Sequence, residues 1–156
     1  DVIVPATGLE LLFLGGIEMA VDGEKVSAPD KLTYKGMMLE GVPNFAFTVG
    51  YTNASWTLKA DLSAEYVCRL LTALRDRHLR QCTPHNRDES VAAGPLLALN
   101  SGYIQRATDR VPQQGTRFPW QVYESYLKDY RAMKLSKVDD EAMTFTNPEP
   151  VGAGRA

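Results

Sequence analysis

A β-forming run that ends in glycine and leads into a long amphipathic segment constrains the fold of this chain most. The run is Phe45–Val49, Gly50 follows it, and possible helix caps stand at Thr52–Ser55. From residue 56 to 79, apolar residues recur at three- and four-residue spacing, which predicts a helix with one apolar stripe. The stripe comprises Leu58, Leu62, Val67, Leu70, Leu71 and Leu74. We therefore predict a strand, a tight turn and a helix in succession, in an α/β fold.

The predicted turn at Gly50 has the geometry of a ligand site. The first N–H groups of a helix have no partner within it, so they favour an anion or a partly negative carbonyl oxygen. Gly50 would let a ligand approach the backbone closely. An ordinary β-turn-α connection without a ligand explains the same residues, and the pattern alone leaves both interpretations open.

The remaining segments predict a second strand-to-turn junction, a hairpin and a second main helix. We expect Val2–Val4 to form a buried strand before the Ala6-Thr7-Gly8 turn, and Asp22-Gly23 to close a hairpin. Other expectations are extended chain at Leu32–Leu39, turns at Gly41–Asn44 and Gln113–Gly115, an exposed loop at Gln81–Glu89, helices at Ser101–Arg110 and Pro119–Leu135, and a strand at Met143–Phe145.

Composition excludes several classes of protein. The chain has 156 residues, 44% of them hydrophobic, and 17 Lys and Arg against 19 Asp and Glu give a net charge of −2. This balance is typical of a globular protein and does not predict non-specific nucleic-acid binding. Two cysteines do not make a disulfide scaffold, so we expect a reducing, cytoplasmic environment. No apolar stretch is long enough to predict a membrane span.

Two long segments together resemble a known enzyme family. They are DVIVPATG at the start and GVPNFAFTVGYTNASWTLKADLSAEYVCRLL some forty residues later, and YKGMML and QQGTRFPW extend the similarity. These residues resemble the C-terminal portion of class B flavoprotein monooxygenases, the flavin-containing and Baeyer–Villiger monooxygenases. Within that family they are most similar to the branch of the ethionamide-activating monooxygenase of mycobacteria. The resemblance runs from Asp1 to about Phe145.

The resemblance implies cofactor-binding residues for FAD and NADPH. Asp1–Gly8 resembles the strand and turn where the chain passes from the NADPH domain back to the FAD domain. Phe45–Gly50 resembles the last strand of the FAD domain, and the following residues resemble the loop and helix start under the flavin. Implied cofactor-binding residues are Ala6, Thr7, Gly8, Gly50, Tyr51, Thr52, Asn53, Ala54, Ser55, Trp56, Thr57 and Leu58. Tyr51 and Trp56 could pack near the flavin ring, or form plain core.

The resemblance also implies the parent reaction and a division of the chain. FAD, reduced by NADPH, would react with O2 and oxidise a ketone, thioether or amine. The G-x-G-x-x-G motifs, the F-x-G-x-x-x-H fingerprint and the active-site arginine of the family are missing from this sequence. We therefore expect a fragment, inactive alone and without catalytic residues, comprising part of a two-dinucleotide-binding-domain (Rossmann-like) flavoprotein. Residues 1–80 would complete the FAD domain, 81–146 would form an extension, and 147–156 a flexible tail.

Four alternatives concern single residues or the whole chain. Cys68, His78, Cys82 and His85 could bind zinc, but their spacing fits no familiar zinc module, and a buried Cys68 with exposed histidines is favoured. Arginines late in the long helix could meet the NADPH phosphate, although a solvated face is favoured. Asp139-Asp140-Glu141 is interpreted as a solvated turn rather than a metal site. The alternative function is a non-catalytic α/β module that binds a ligand or partner through an exposed sheet edge.

Overall fold

One long helix and eight short strands make up most of the described chain. The computed structural model describes residues 2–8, 10–97 and 102–148. The strands are β1 (Met19–Val21), β2 (Glu24–Val26), β3 (Thr33–Tyr34), β4 (Met38–Leu39), β5 (Gln81–Pro84), β6 (Ala93–Pro95), β7 (Gln113–Gly115) and β8 (Met143–Thr146). The helices are α1 (Trp56–Asp76), α2 (Gly102–Gln105) and α3 (Tyr126–Tyr130), and α3 continues into a π-helical turn at Arg131–Leu135. None of the helices within these ranges is long and apolar enough to cross a bilayer.

The strands form four separate two-stranded antiparallel sheets. β1 pairs with β2, β3 with β4, β5 with β8 and β6 with β7. A single isolated bridge, between Leu32 and Gln113, is parallel. The predicted mixture of helix and strand is confirmed. The two-domain Rossmann-like architecture stays a prediction, because the described strands make small antiparallel pairs and no larger parallel sheet.

The hairpin and the main helix follow the sequence prediction closely. Asp22 and Gly23 link β1 to β2 with φ angles of 52° and 88°, the positive values that this turn needs. Helix α1 begins at Trp56 and ends at Asp76, three residues before the predicted end at Leu79. Its buried positions are Lys59, Leu62, Ser63, Tyr66, Leu70 and Leu74.

The predicted apolar stripe of α1 is wrong at two positions. Leu58 and Leu71 are 39% and 59% exposed, because Lys59 and Tyr66 lie on the face of the helix that packs against the core.

Two apolar clusters form the interior. The larger one packs β3, β4 and α1 against Cys82, Trp120, Met133 and Met143. The smaller one gathers Ala28, Leu39, Val42 and Phe47 beneath the first hairpin. The larger cluster takes residues from both sides of residue 80. The division of the chain at that residue stays a prediction.

A buried ammonium group joins four parts of the fold. The Nζ of Lys35, in the β3–β4 turn, lies 3.0 Å from Tyr66 Oη, 3.1 Å from Ser136 Oγ and 3.1 Å from an Asp140 carboxylate oxygen. Tyr34 donates to Asp140 at 2.7 Å, so Tyr66 donates to Tyr34 at 2.8 Å and accepts from Lys35. All three protons of the ammonium therefore have acceptors in the interior. Burial lowers the pKa of Lys35 to about 8, although Asp140 opposes this shift.

Two predicted strands are wrong. Val2, Ile3 and Val4 are 82–91% exposed and form no strand. No described residue pairs with them, and β propensity without a neighbouring strand does not make a sheet. Phe45–Val49 is also irregular, and within it the Phe47 N–H donates to the Met37 carbonyl at 2.8 Å. Its aromatic side chains pack into the smaller cluster without a partner strand.

Two segments predicted as loop or turn are strands. The first half of Gln81–Glu89 forms β5, where Cys82 and Thr83 are buried and pair with Phe145 and Thr144 of β8. Gln113–Gly115 forms β7 and pairs with β6. Both segments are too polar to predict a strand from pattern, and their pairing partners lie far along the chain. The last strand and the Gly41–Asn44 turn are confirmed, whereas the helix predicted over 101–110 is present only as α2 and a separate 3₁₀ turn at Thr108–Arg110.

The second main helix is shorter than predicted. We expected a helix from Pro119 to Leu135, but α3 begins only at Tyr126 and turns π-helical at Arg131. The carbonyl groups of Pro119 and Trp120 do not make helical hydrogen bonds. They accept from the backbone N–H groups of Lys35 and Gly115 instead. Within this segment Leu127 is 71% exposed, whereas Asp129 is buried.

Some predictions fall on residues outside the described ranges. These are Asp1, at the start of the segment that resembles the strand and Ala-Thr-Gly turn, Ser101 at the start of the short helix, and the part of the predicted tail from residue 149 onward.

Replacing Lys35 with methionine should change how stability depends on pH above 8. The pKa of Lys35 is about 8 in the folded chain and 10.5 ordinarily. Between pH 8 and pH 10.5, Lys35 therefore carries a proton in the unfolded chain but not in the folded chain. From pH 8 to about 9.5, the free energy of unfolding of the wild type should rise relative to K35M by about 1 kcal/mol per pH unit. Below about pH 7 the two slopes should match, because Lys35 is then protonated in both the folded and the unfolded chain. Urea unfolding across both ranges measures this, and parallel curves throughout would contradict a depressed pKa.

Candidate functional site

The turn at Gly50 forms one wall of an apolar cleft of about 460 Å³. The floor holds the buried residues Tyr51, Leu96, Ile104 and Val111. Leu12 and Trp56 stand at its rim, 59% and 60% exposed. The cleft therefore lies where the sequence predicts a ligand site, at the start of α1.

Trp56 occupies the space that Gly50 leaves open. A Cβ atom at Gly50 would lie 2.3 Å from two atoms of the Trp56 indole. The indole therefore fills the space beside the Gly50 backbone, and the expectation that a ligand approaches this backbone closely stays a prediction. Trp56 is not plain core, since most of its surface is exposed, whereas Tyr51 is buried.

The N-terminus of α1 is exposed and lacks a side-chain cap. Residues 52–58 are all exposed, and they include the implied flavin contacts Asn53, Ala54, Ser55, Thr57 and Leu58. Ser55, at the N-cap position, shares a hydrogen bond with Thr57 Oγ1 at 2.7 Å and makes no cap bond. The first N–H groups of α1 therefore remain able to bind an electron-rich ligand atom. The Thr52 N–H is different, because it donates to Glu124 at 3.0 Å.

Residues in and just before α3 make polar contacts with the turn at residues 50–53, on the side of the turn that faces α3. Glu124 accepts from Thr52 Oγ1 at 2.9 Å, and its carbonyl accepts from Asn53 at 3.2 Å. The Tyr51 hydroxyl donates to Asp129 at 2.8 Å, and Asp129 forms a 2.8 Å ion pair with Lys59. These bonds fix the backbone of the turn, while the opposite side of the turn remains exposed to solvent.

The Lys59–Asp129 pair is nearly inaccessible to water. Its side chains are 3% and 4% exposed. Burial lowers the pKa of Lys59 and raises the pKa of Asp129, while each partner opposes the shift of the other. Burial also raises the pKa of Tyr51. Sequence reasoning missed Lys59, Glu124 and Asp129, because charged residues on a helix are ordinarily assigned to the solvent face.

A second, polar cleft of about 480 Å³ adjoins the first. Thr7 and Gly8 line it, together with Arg106 and Arg110, and both clefts share Leu11 and Tyr103. Ala6 is exposed beside Thr7, and Gly8 has a φ of 90°. The two stretches of implied cofactor-binding residues, 6–8 and 50–58, thus border neighbouring clefts.

The other candidate residues are dispersed. Cys68 is exposed and Cys82 buried, so the expectation of a buried Cys68 is wrong. Among the described residues, no group of three or more His, Cys, Asp or Glu could hold a metal ion. Asp139 and Glu141 are exposed, as the solvated turn predicts, whereas Asp140 is partly buried and binds Lys35 and Tyr34. Arg69 donates to the carbonyls of Met133 and Ser136, whereas Arg75, Arg77 and Arg80 are exposed as expected.

Comparison with known proteins agrees with the resemblance drawn from the sequence. The chain is 45% identical over 153 residues to the FAD-containing monooxygenase EthA of Mycobacterium tuberculosis, covering 97% of this chain and 31% of EthA. It is 44% identical over 146 residues to the putative FAD-containing monooxygenase MymA of the same species, covering 93% of this chain and 30% of MymA. It is 40% identical over 146 residues to the probable FAD-binding monooxygenase AlmA of Acinetobacter baylyi, covering 93% of this chain and 29% of AlmA.

These matches establish homology to FAD-containing monooxygenases along nearly the whole chain. The predicted similarity to class B flavin monooxygenases is confirmed. The chain spans about 30% of the length of these curated relatives. No protein-family model matches the chain. No solved structure matches it either.

Substituting Gly50 with alanine should destabilise the chain through Trp56. The added Cβ overlaps the indole, so G50A should lower the free energy of unfolding by about 1–3 kcal/mol. In a W56A background the same substitution should have a much smaller effect, because the overlap is gone. A double-mutant cycle by urea unfolding measures the coupling. Equal effects in both backgrounds would contradict the contact.

Substituting Asp129 with alanine should destabilise the chain strongly. The variant leaves the buried Lys59 ammonium unpaired and removes the acceptor of Tyr51, so the loss should be about 3–5 kcal/mol. The double variant K59M/D129L should lose much less, since it buries no unpaired charge. Asp61, an exposed acid on α1, provides the control, and D61A should change stability by under about 0.5 kcal/mol. A D129A variant as stable as D61A would contradict this account.

Proposed function

We propose that this homologue of FAD-containing monooxygenases forms the wall beneath the flavin in an NADPH- and O2-dependent monooxygenase. The observation that carries the proposal is the exposed, uncapped N-terminus of a 21-residue helix, rigidly supported from behind. A reduced flavin is electron-rich along the pyrimidine edge of its ring. A helix N-terminus stabilises negative charge there, and it requires no reorganisation if its backbone is already fixed.

The residues present fit a flat, partly anionic ring. Trp56 exposes 60% of its surface beside the N–H groups of the first turn, which gives an aromatic face next to hydrogen-bond donors. Thr52 contributes less than the sequence implied, because Glu124 already accepts from its N–H. The N–H groups of residues 56–58, at the start of α1, remain available as donors for the ring. FAD would supply the redox and oxygen chemistry when bound.

The side chains of this chain would bind and orient rather than transfer protons. The buried Lys59–Asp129 pair lies behind the turn, so it acts on the backbone position and not on a reacting atom. The apolar floor of Leu96, Ile104 and Val111 would exclude water from the reaction. We therefore assign no catalytic acid, base or nucleophile to the described residues.

Homology supports the wider assignment. The parent would be a cytoplasmic enzyme that uses NADPH and O2 to oxidise a ketone, as in Baeyer–Villiger chemistry, or a thioether or amine. Residues 1–80 would complete its FAD domain, 81–146 would form an extension and 147–156 a tail. Because the Gly-rich phosphate-binding motifs are not in this sequence, the chain by itself should neither hold FAD tightly nor turn over.

The full reading frame that contains this sequence tests the assignment. The purified longer protein should carry FAD and consume NADPH when a ketone or a thioether is added, and the two substrates assayed side by side separate the two reaction types. A longer protein that binds no FAD would refute the proposal and favour the non-catalytic binding module.

A charge at the helix start tests the flavin contact itself. In the longer protein, Ala54→Asp places a carboxylate beside the first turn of α1, where it competes with the anionic reduced flavin for the same N–H groups. The loss of about 1 kcal/mol should lower the two-electron flavin midpoint potential by about 20 mV. Ala64→Asp, the same change at an exposed position further along α1, is the matched control. Equal potentials in A54D and A64D would contradict contact between this turn and the flavin.

A further inference from the structure

The outer face of α3 and of the π-helical turn that follows it combines positive charge with exposed leucines. Leu127 and Leu135 are 71% and 68% exposed, and the exposed Arg131 lies four residues from each of them. Residues four apart lie on the same side of a helix, so these three side chains form one continuous strip. Lys128 and Lys134 are also exposed and flank the strip. We call these five residues the basic leucine face.

No exposed acid within α3 or the π-helical turn opposes the positive charge of this face. Asp129 is the one acid of the two elements, and it is buried in the ion pair with Lys59. Among the described residues, no acid forms an ion pair with Lys128 or Arg131. The face therefore has an excess of positive charge, although the net charge of the whole chain is −2.

The neighbouring edge of α1 carries two exposed acids. Glu65 pairs with Lys134 at 3.0 Å, and Asp61 lies one helical turn earlier on the same side of α1. The side chains of Lys134 and Glu65 are 41% and 50% exposed, and an ion pair so exposed contributes little stability. Lys134 can therefore exchange this partner for another carboxylate. The positive charge is confined to a strip one helix wide, with acids along its α1 side.

The width and the charge of the face restrict what could cover it. The same face of a second copy of this chain would bring like charges together, which opposes association. An anionic bilayer is flat and would meet Asp61 and Glu65 as well as the cations, and these two carboxylates would repel it. A single helix, about 10 Å wide, could cover α3 alone. Leu127 and Leu135 lie about 12 Å apart along the helix axis, so about two turns of such a helix would reach both.

We propose that the basic leucine face binds an acidic amphipathic helix of a partner protein. Leucines of the partner would cover Leu127 and Leu135, and its carboxylates would pair with the three cations of the face. Alkyl surface gains from burial, and complementary charge makes such a contact specific and fast to form. The proposal does not depend on the proposed function, because no residue of this face lines either cleft at the start of α1.

Two designed peptides test the proposal with this chain and with the longer protein. One is a fluorescein-labelled alanine-based helix with three leucines at four-residue spacing and glutamate beside each leucine. The other has lysine in place of every glutamate. We expect saturable binding of the acidic peptide by fluorescence anisotropy, and binding of the lysine peptide that is at least about tenfold weaker. Binding of the acidic peptide should be lost at about 1 M salt, where charges are screened within a few ångströms.

Matched pairs of variants locate the contact. Arg131 and Arg75 are both exposed helical arginines, but Arg75 lies near the end of α1 and pairs only with the adjacent Asp76. R131E should weaken binding of the acidic peptide about tenfold or more, whereas R75E, with the same change in net charge, should leave it unchanged. L127A and L71A provide the same comparison for two exposed leucines, and only L127A should weaken binding. Circular dichroism and urea unfolding establish that the variants are folded to the same extent.

Four results of the peptide experiments would overturn the proposal. They are no binding of the acidic peptide, equal binding of the two peptides, equal effects of R131E and R75E, and binding by this chain but not by the longer protein. The last result would show that the rest of the longer chain covers this face.

Vesicles of phosphatidylglycerol and phosphatidylcholine separate a protein partner from a lipid surface. We expect neither this chain nor the longer protein to sediment with them. Sedimentation that is lost in R131E would identify a lipid surface as the occupant of the face and would also overturn the proposal.

Discussion

The ammonium group of Lys35 is the contact on which the arrangement of the elements depends. It lies in the β3–β4 turn and reaches Tyr66 on α1, Ser136 after the π-helical turn and Asp140 before β8. A buried charge is tolerated only when its partners are all in place, so the four segments cannot shift independently. Apolar packing around Met37, Leu70 and Met133 supplies the burial, but it is not directional. The hydrogen bonds of Lys35 and Tyr34 select one arrangement among those that would bury the same surface.

A second buried ion pair, between Lys59 and Asp129, fixes the position of the elements at the candidate site. Lys59 and Asp129 connect the first turn of α1 to α3, and Tyr51 and Glu124 extend the connection to the turn itself. The polar contacts all lie on the inner side, so the outer side of the turn keeps its N–H groups and the Trp56 face. A fixed backbone with an exposed front is the arrangement that a preorganised binding surface needs. The buried polar contacts that stabilise the fold therefore also fix the surface to which we propose the flavin binds.

Sequence patterns were reliable where local interactions decide structure, and unreliable where they do not. The start of α1 at Trp56 and the Asp22-Gly23 hairpin follow from periodicity and from turn chemistry. The strand predicted at Phe45–Val49 failed because a strand needs a partner, and Met37 supplies a single backbone bond. The pairing of β5 with β8 was missed for the converse reason, since the polar Gln81 and Thr83 meet partners more than sixty residues away. Of the candidate site, the turn and the aromatic residues were anticipated, but the charged residues behind them were not.

The sequence by itself determined the long helix, the first hairpin and the similarity to flavin monooxygenases, because these depend on residues that are close in the chain or on motifs that can be matched directly. Only the tertiary structure decided that Lys59 points inward, that Trp56 packs against Gly50, and that no described residue lining the cleft beside them is charged. Each of these depends on groups brought together from distant positions. A buried lysine is tolerated only if an acid from another part of the chain pairs with it, and no local sequence pattern shows that the two residues will be in contact.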